Sequence, residues 1–165
     1  MDRCDECGFE YHEDAAPNAA SEIVAGAGAL AALVCEPGVD VRTRRSRELW
    51  SPLEYACHVR DILLVQRERV LAARRVDCPS FAPMGRDERV ELDGYAEQDP
   101  AAVARQLADA GAMFANVLGR LDASEWDRTI VYNYPTKHVR TLGWVAVHTL
   151  HEVGHHLRDV QRQLA

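Results

Sequence analysis

Four of the seven histidines, His148, His151, His155 and His156, fall within one nine-residue span near the C-terminal end. With Glu152 among them they form the donor set of a divalent-metal site, because imidazole nitrogen and carboxylate oxygen are the usual ligands of zinc and its neighbours. Two pairs share the i, i+4 spacing that stacks side chains one helical turn apart: His151 with His155, and Glu152 with His156. Helical phase separates the two pairs. At about 100° per residue, Glu152 and His156 lie roughly 75 to 115° from the centre of the apolar stripe Leu150, Val153, Leu157 and Val160, bordering a bundle interior. His151 and His155 lie roughly 145 to 175° away, so this reading turns them outward.

A metal site between packed helices takes ligands from facing helices. The helix read over residues 52–74 has His58 as its one histidine, roughly 100° from the centre of the stripe Val59, Ile62, Leu63 and Val70. That is the same flank setting as Glu152 and His156. The expected site is therefore His58, Glu152 and His156, a two-histidine, one-carboxylate set that leaves coordination positions open for water or substrate. Such a site lowers the pKa of a bound water or thiol. Arg158 and Asp159 are candidates to orient the ligands. Spacing alone fits equally a solvated, His-rich helix face with a satisfied core histidine at 58.

A second chemistry-bearing motif lies at the other end of the chain. Cys4-Asp-Glu-Cys7-Gly8-Phe9 resembles half of a rubredoxin or zinc-ribbon knuckle, in which the glycine lets backbone amides turn toward the sulfurs. A closed zinc site needs four ligands, so Cys4 and Cys7 form a second metal site if His12, Cys35, Cys78, a bundle residue or a second subunit completes the set. A redox dithiol would want a helix N-terminus in place of this acidic, thiol-pKa-raising surround, and an arm without a role is the remaining reading. Cys57, beside His58, reads as a small buried apolar residue.

These residues are positioned by four amphipathic helices. The first is predicted over residues 18–35, with Ile23, Ala27, Leu30 and Val34 in register, although Gly26 and Gly28 weaken it. The second opens with the capping box Ser51-Pro52-Leu53-Glu54. The third opens with Asp99 as cap and Pro100 as first residue and runs to about Asp122; the fourth runs from about Thr141 to the end. Four helices with one apolar stripe each predict an all-α four-helix bundle over residues 18–165, preceded by a Cys-containing arm over 1–17. The link from Val76 to Gln98 exceeds the roughly 2 to 8 residues usual in bundles, so it is a crossover or lines a site, and its apolar residues favour a packed loop. The link from Trp126 to Arg140 holds a β-prone stretch over 129–132. Tyr132, Asn133, Tyr134, His138, Asp93 and Tyr95 lie on these two links and are candidates to close over a metal site. The basic run Arg42, Arg44, Arg45 and Arg47 reads as a solvated loop, with an anion site as the alternative.

Composition narrows the function classes. The chain has 165 residues, 47% hydrophobic and 27% charged, which is enough for one cored domain and excludes disordered and disulfide-scaffold classes. Its 19 basic and 26 acidic residues give a charge of −7, so a nucleic-acid partner is not expected. No stretch reads as a membrane span and the first residues lack an apolar signal segment, so a cytoplasmic protein with thiols in place of disulfides is expected.

Trp50-Ser-Pro-Leu-Glu-Tyr-Ala-Cys-His58, with Trp144-Val-Ala-Val-His-Thr-Leu-His-Glu152-Val-Gly-His-His156-Leu-Arg-Asp159 near the end, resembles the DinB/YfiT-like metalloprotein superfamily. That superfamily includes mycothiol-dependent maleylpyruvate isomerases and bacillithiol S-transferases. The resemblance implies a four-helix bundle around zinc, nickel or a similar divalent ion. By position it assigns His58 as the ligand from the second helix and Glu152 and His156 as the pair from the last, the same residues that helical phase selects. It also implies mycothiol or another low-molecular-weight thiol as cofactor and a small electrophile as substrate, for S-transfer or isomerisation. Metal-dependent hydrolysis is the near variant. The alternative from another class is a metal-binding stress or scaffold protein whose Cys arm makes a homodimer. The arm itself lies outside the superfamily pattern.

Overall fold

The computed structural model describes residues 3–134 and 136–165. Among the described residues, four long helices form the frame: α1 (Ala16–Val34), α2 (Pro52–Ala73), α4 (Pro100–Leu118) and α5 (Leu142–Leu164), with a short α3 (Arg86–Leu92) in the long link. The expected caps at Ser51 and Asp99 are present, and Thr141 adds a third. Ser51 accepts from the Glu54 amide at 3.3 Å while the Glu54 carboxylate takes the Ser51 amide at 2.7 Å, and Arg44 grips the same carboxylate through two nitrogens at 2.8 and 2.6 Å. Asp99 caps α4 at the Ala102 amide, and Thr141 caps α5 at the Trp144 amide. Helix α4 stops four residues short of the expected end, where Gly119 closes it.

Helices α1 and α2 each pack against both α4 and α5, so the chain-adjacent pairs α1 with α2 and α4 with α5 sit across the diagonals. Ile23, Leu30, Leu53, Leu63, Leu107 and Phe114 are fully buried at the centre. Each contributes about 1.5 to 3 kcal/mol of apolar burial. Gly26 has a reason the sequence hid: a Cβ there would lie 2.7 Å from Val153 Cγ1, so its absence lets α1 approach α5 closely.

Helix α2 departs from the one-stripe expectation. Every residue from Pro52 to Leu63 is buried, including Glu54, His58, Arg60 and Asp61. It is sandwiched, with α4 and α5 on one side and the long link on the other. Its charged residues are held by partners: Asp61 receives Arg60 Nε at 2.8 Å, Arg89 Nη1 at 2.9 Å and the Tyr95 hydroxyl at 2.7 Å. Burial opposes the Asp61 charge, but these three bonds outweigh it and hold the carboxyl below its ordinary range.

The 126–140 link forms an antiparallel hairpin of β1 (Thr129–Asn133) and β2 (Lys137–Thr141), with Val131 opposite Val139. Strand β1 holds the other long link beside it. The Val131 amide donates to Pro79 O at 2.9 Å, and Asn133 Nδ2 donates to Phe81 O at 2.7 Å. The two links thus brace each other over one end of α2 and α5. Glu13–Val34 is long and apolar enough to cross a membrane by length and composition, which the sequence reading did not grant it. Within the fold its apolar positions, Ile23, Ala27 and Leu30, are buried in the interior against α4 and α5.

Candidate metal centre

Because α2 and α5 are neighbours, His58 meets the Glu152 and His156 pair. One ligand atom from each lies within 4.8 Å of the others. His156 Nε2 is 3.7 Å from Glu152 Oε2, and its Nδ1 is 3.1 Å from Asp159 Oδ2. Asp159 therefore orients the ring, as a carboxylate behind a metal-binding imidazole does. Arg158 does not share that task; its Nη1 donates to Cys7 O at 3.3 Å. Trp50 packs edge-on against His58 with ring centres 4.9 Å apart, and Tyr55 tilts against His156 at 5.1 Å.

The electrostatics suit a cation. Burial and the neighbouring His156 push His58 down to about 3, so its imidazole is neutral and its lone pair is free at ordinary pH. Its Nδ1 is buried with no hydrogen-bond partner among the described residues. Burial opposes the Glu152 charge too, but bonds from His151 and His156 and the nearby His148 hold its carboxyl well below the usual range. His156 is raised: Asp159 and Glu152 outweigh the burial that would keep it neutral. A proton there stands where a metal ion would give the same charge compensation. Two neutral-capable imidazoles and one carboxylate, converging on a buried point with an unpaired nitrogen, fit a divalent ion.

His58 and Glu152 form part of the wall of a cavity of about 280 Å³, which also takes in Arg69, Arg86, Tyr132 and His148. The Arg69 guanidinium lies 4.7 Å over the Tyr132 ring and donates to Ala82 O, while Arg86 lies 5.6 Å over Trp50. Both arginines therefore present held positive charge to the cavity. His148, stacked 4.6 Å from Trp144, is pushed by burial down to about 4 and is neutral. No sequence pattern flagged Arg69 or Arg86; they become visible once the long link folds back over α2.

Of the candidates on the links, Tyr132 and Tyr134 face this cavity. Asn133 braces the long link, His138 bonds Thr136 at 2.8 Å, and Asp93 and Tyr95 belong to the Arg60 and Asp61 network. Three of the four arginines of the basic run are structural: Arg42 donates to Gln98 O at 2.9 Å, Arg44 to Glu54, and Arg45 to Gln163 O at 2.8 Å, while Arg47 is exposed. Cys57 is buried, its thiol pushed by burial up to about 12.

His151 and His155 point away from the bundle interior, as helical phase has it, but not into solvent: His151 is 7% exposed, because the N-terminal arm lies over that face. The Tyr11 hydroxyl is 2.8 Å from His151 Nδ1, Phe9 packs on the same ring at 5.2 Å, and Cys4 Sγ is 3.9 Å from His155 Nδ1. A helical wheel gives angles about one axis and is silent on what a segment about 150 residues away covers. The acidic surround also fails to raise Cys4. Burial pushes its thiol up, but the amides of Cys7 and Glu6 and the His151 ring prevail, and it sits below its ordinary value.

Residues 25–160 match the family model of the DinB superfamily. No curated protein sequence matches the chain. Among solved structures the chain is similar to YfiT from Bacillus subtilis, described as a probable metal-dependent hydrolase with an unusual four-helix bundle topology. The two are 18% identical with a TM-score of 0.71, over 98% of this chain and 92% of that one. The matched stretch contains His58, Glu152 and His156 and leaves the Cys arm outside it, and on that coverage the chain belongs to the DinB superfamily.

Proposed function

We propose that the chain is a metal-dependent enzyme acting on a small electrophile. A divalent ion, zinc in first place and nickel in second, is held by His58, Glu152 and His156, and a low-molecular-weight thiol such as mycothiol is the nucleophile. The observation that carries this reading is the convergence of those three ligand atoms within 4.8 Å at the wall of a cavity of about 280 Å³. That volume is at the low end of small-molecule sites. When bound, the ion supplies Lewis acidity and favours the thiolate over the thiol.

The chain's own residues bind and orient. Arg69 and Arg86 offer planar guanidinium groups, which suit a carboxylate on the thiol or the substrate. Asp159 fixes the His156 ring, and Trp50 and Tyr55 wall the ligands from water. In transfer, the thiol proton leaves to solvent, sulfur bonds the electrophilic carbon, and the leaving group departs with its bonding pair. In isomerisation the sulfur adds, the adduct rotates, and the thiolate is expelled.

Hydrolysis, with water in place of the thiol, is the second reading, favoured by the likeness to a protein described as a probable metal-dependent hydrolase. The two are separated by turnover of an electrophile panel by metal-loaded protein with and without added thiol. Thiol-dependent consumption, lost in His58→Ala, is the expected result. Thiol-independent release of hydrolysed product overturns the transferase reading for the hydrolase one. Absence of both with the metal bound overturns the enzyme reading.

A further inference from the structure

The arm and the outer face of α5 carry a second cluster, apart from the cavity. Residues 3–10 fold into a knuckle: Arg3 bridges Glu10, the Cys4 amide donates to Phe9 O and the Gly8 amide to Cys4 O, both at 2.8 Å. Gly8 turns it at φ +74°, a left-handed conformation that favours glycine. The knuckle lies against α5 and brings Cys4 and Cys7 to His151 and His155. One ligand atom from each of the four lies within 4.8 Å of the others. Around a tetrahedral zinc, with bonds of about 2.3 Å to sulfur and 2.0 to 2.1 Å to nitrogen, such atoms sit roughly 3.3 to 3.8 Å apart. Closing the cluster onto an ion asks for movements of an ångström or less, within the reach of side-chain rotation.

The two histidines are already arranged as metal ligands are. His151 Nδ1 is engaged by the Tyr11 hydroxyl at 2.8 Å and by Glu152 Oε1 at 3.2 Å, which leaves Nε2 as the free nitrogen. That Nε2 is buried and has no hydrogen-bond partner among the described residues. A buried, unpaired ring nitrogen is costly unless something binds it. His155 has the complementary arrangement: Nε2 faces Glu6 Oε2 at 3.1 Å and Asp159 Oδ2 at 3.5 Å, and Nδ1 is the nitrogen next to Cys4 Sγ. Each imidazole thus has a carboxylate behind its far nitrogen, the outer arrangement that fixes the ring and raises its basicity toward a metal. The five cysteines are all free thiols in this fold, so Cys4 and Cys7 are not joined to each other.

We propose that Cys4, Cys7, His151 and His155 form a closed structural zinc site that clips the N-terminal arm onto α5. Four protein ligands leave no position for substrate, which makes the site structural. The other attachments of the arm, Phe9 and Tyr11 packed on α5 and Arg158 donating to Cys7 O, lie beside the cluster, and an ion there would fix the knuckle itself. The site stands independently of the function proposed for the cavity, because it shares no ligand with His58, Glu152 and His156.

Cobalt(II) substitution tests it on the full chain under reducing conditions. Tetrahedral cobalt on two thiolates and two imidazoles gives a sulfur-to-metal charge-transfer absorption in the near ultraviolet, which a His/His/carboxylate site, having no thiolate, lacks. The expected result is that wild-type protein and His58→Ala both show this absorption, and that it is lost in Cys4→Ser/Cys7→Ser and weakened in His155→Ala. Helical circular dichroism should persist in every variant, and limited proteolysis should cut the arm at least about tenfold faster in the cysteine variant. Absence of charge transfer in the wild type, or its survival in Cys4→Ser/Cys7→Ser, overturns the proposal. So does oxidation of the pair to a disulfide with no metal taken up after reduction.

Discussion

Glu152 is the side chain on which the two ends of the molecule converge, with His156 behind it on the cavity side and His151 on the arm side. The carboxylate is the candidate ligand that a count of histidines misses and helical phase finds. His58, Glu152 and His156 were legible because each flanks an apolar stripe, and the stripe fixes which way the flank faces. His151 and His155 were legible only as angles. What covers them, a knuckle starting at Cys4, is a tertiary fact. Asp159 offers a residue-scale prediction, since its Oδ2 lies 3.1 Å from His156 Nδ1 and holds the ring. Asp159→Asn should weaken the cavity site's metal affinity by about 10- to 100-fold. Competition against a chromophoric chelator reads that change, and an affinity unaltered in the variant would show that the ring is held by packing alone.

At the scale of elements, the caps were the dependable signals. Ser51-Pro52, Asp99-Pro100 and Thr141 each start a helix where the sequence places one, because an orphan amide at a helix start must find an acceptor and these side chains supply it. The long links were less legible. The hairpin and residues 79–81 of the long link are fixed by bonds to each other, such as Val131 to Pro79, which no local pattern encodes. Gly26 looked like a flaw in α1 and is a contact. Gly26→Ala should destabilise the fold by about 1 to 3 kcal/mol despite the better helix propensity of alanine, because the new methyl meets the stiff Val153 side chain at 2.7 Å. A thermal melt checks it; a variant that melts higher would mean α1 and α5 can separate without loss. The Asp61 network gives a pH prediction. Its carboxyl is depressed in the fold, so its stabilisation is fully present above the unfolded value of about 3.9 and is lost as pH falls through the lower folded value. Asp61→Asn should cost about 3 kcal/mol near pH 7, and the difference from wild type should shrink toward zero in acid. Urea denaturation at pH 7 and pH 3 reads both, and a cost that does not change with pH would assign it to shape and not to charge.

For the whole molecule, the cluster under the arm and the site at the cavity wall meet in one contact within α5, His151 Nδ1 to Glu152 Oε1 at 3.2 Å. An ion on His151 Nε2 would make its Nδ1–H a stronger donor and hold the Glu152 carboxylate toward the cavity. Cys4→Ser/Cys7→Ser should therefore weaken metal binding at His58, Glu152 and His156 by about tenfold, with no change in the bundle's helix content. Titration of each protein with zinc reads the effect, and equal affinities would show that the two clusters act separately. The central claim is that His58, Glu152 and His156 bind a divalent ion at the cavity wall. Elemental analysis of metal per chain, on zinc-loaded and desalted wild type and His58→Ala with matching circular dichroism, tests it most directly. The account predicts that His58→Ala carries about one ion fewer per chain than wild type; equal metal content in the two would contradict it.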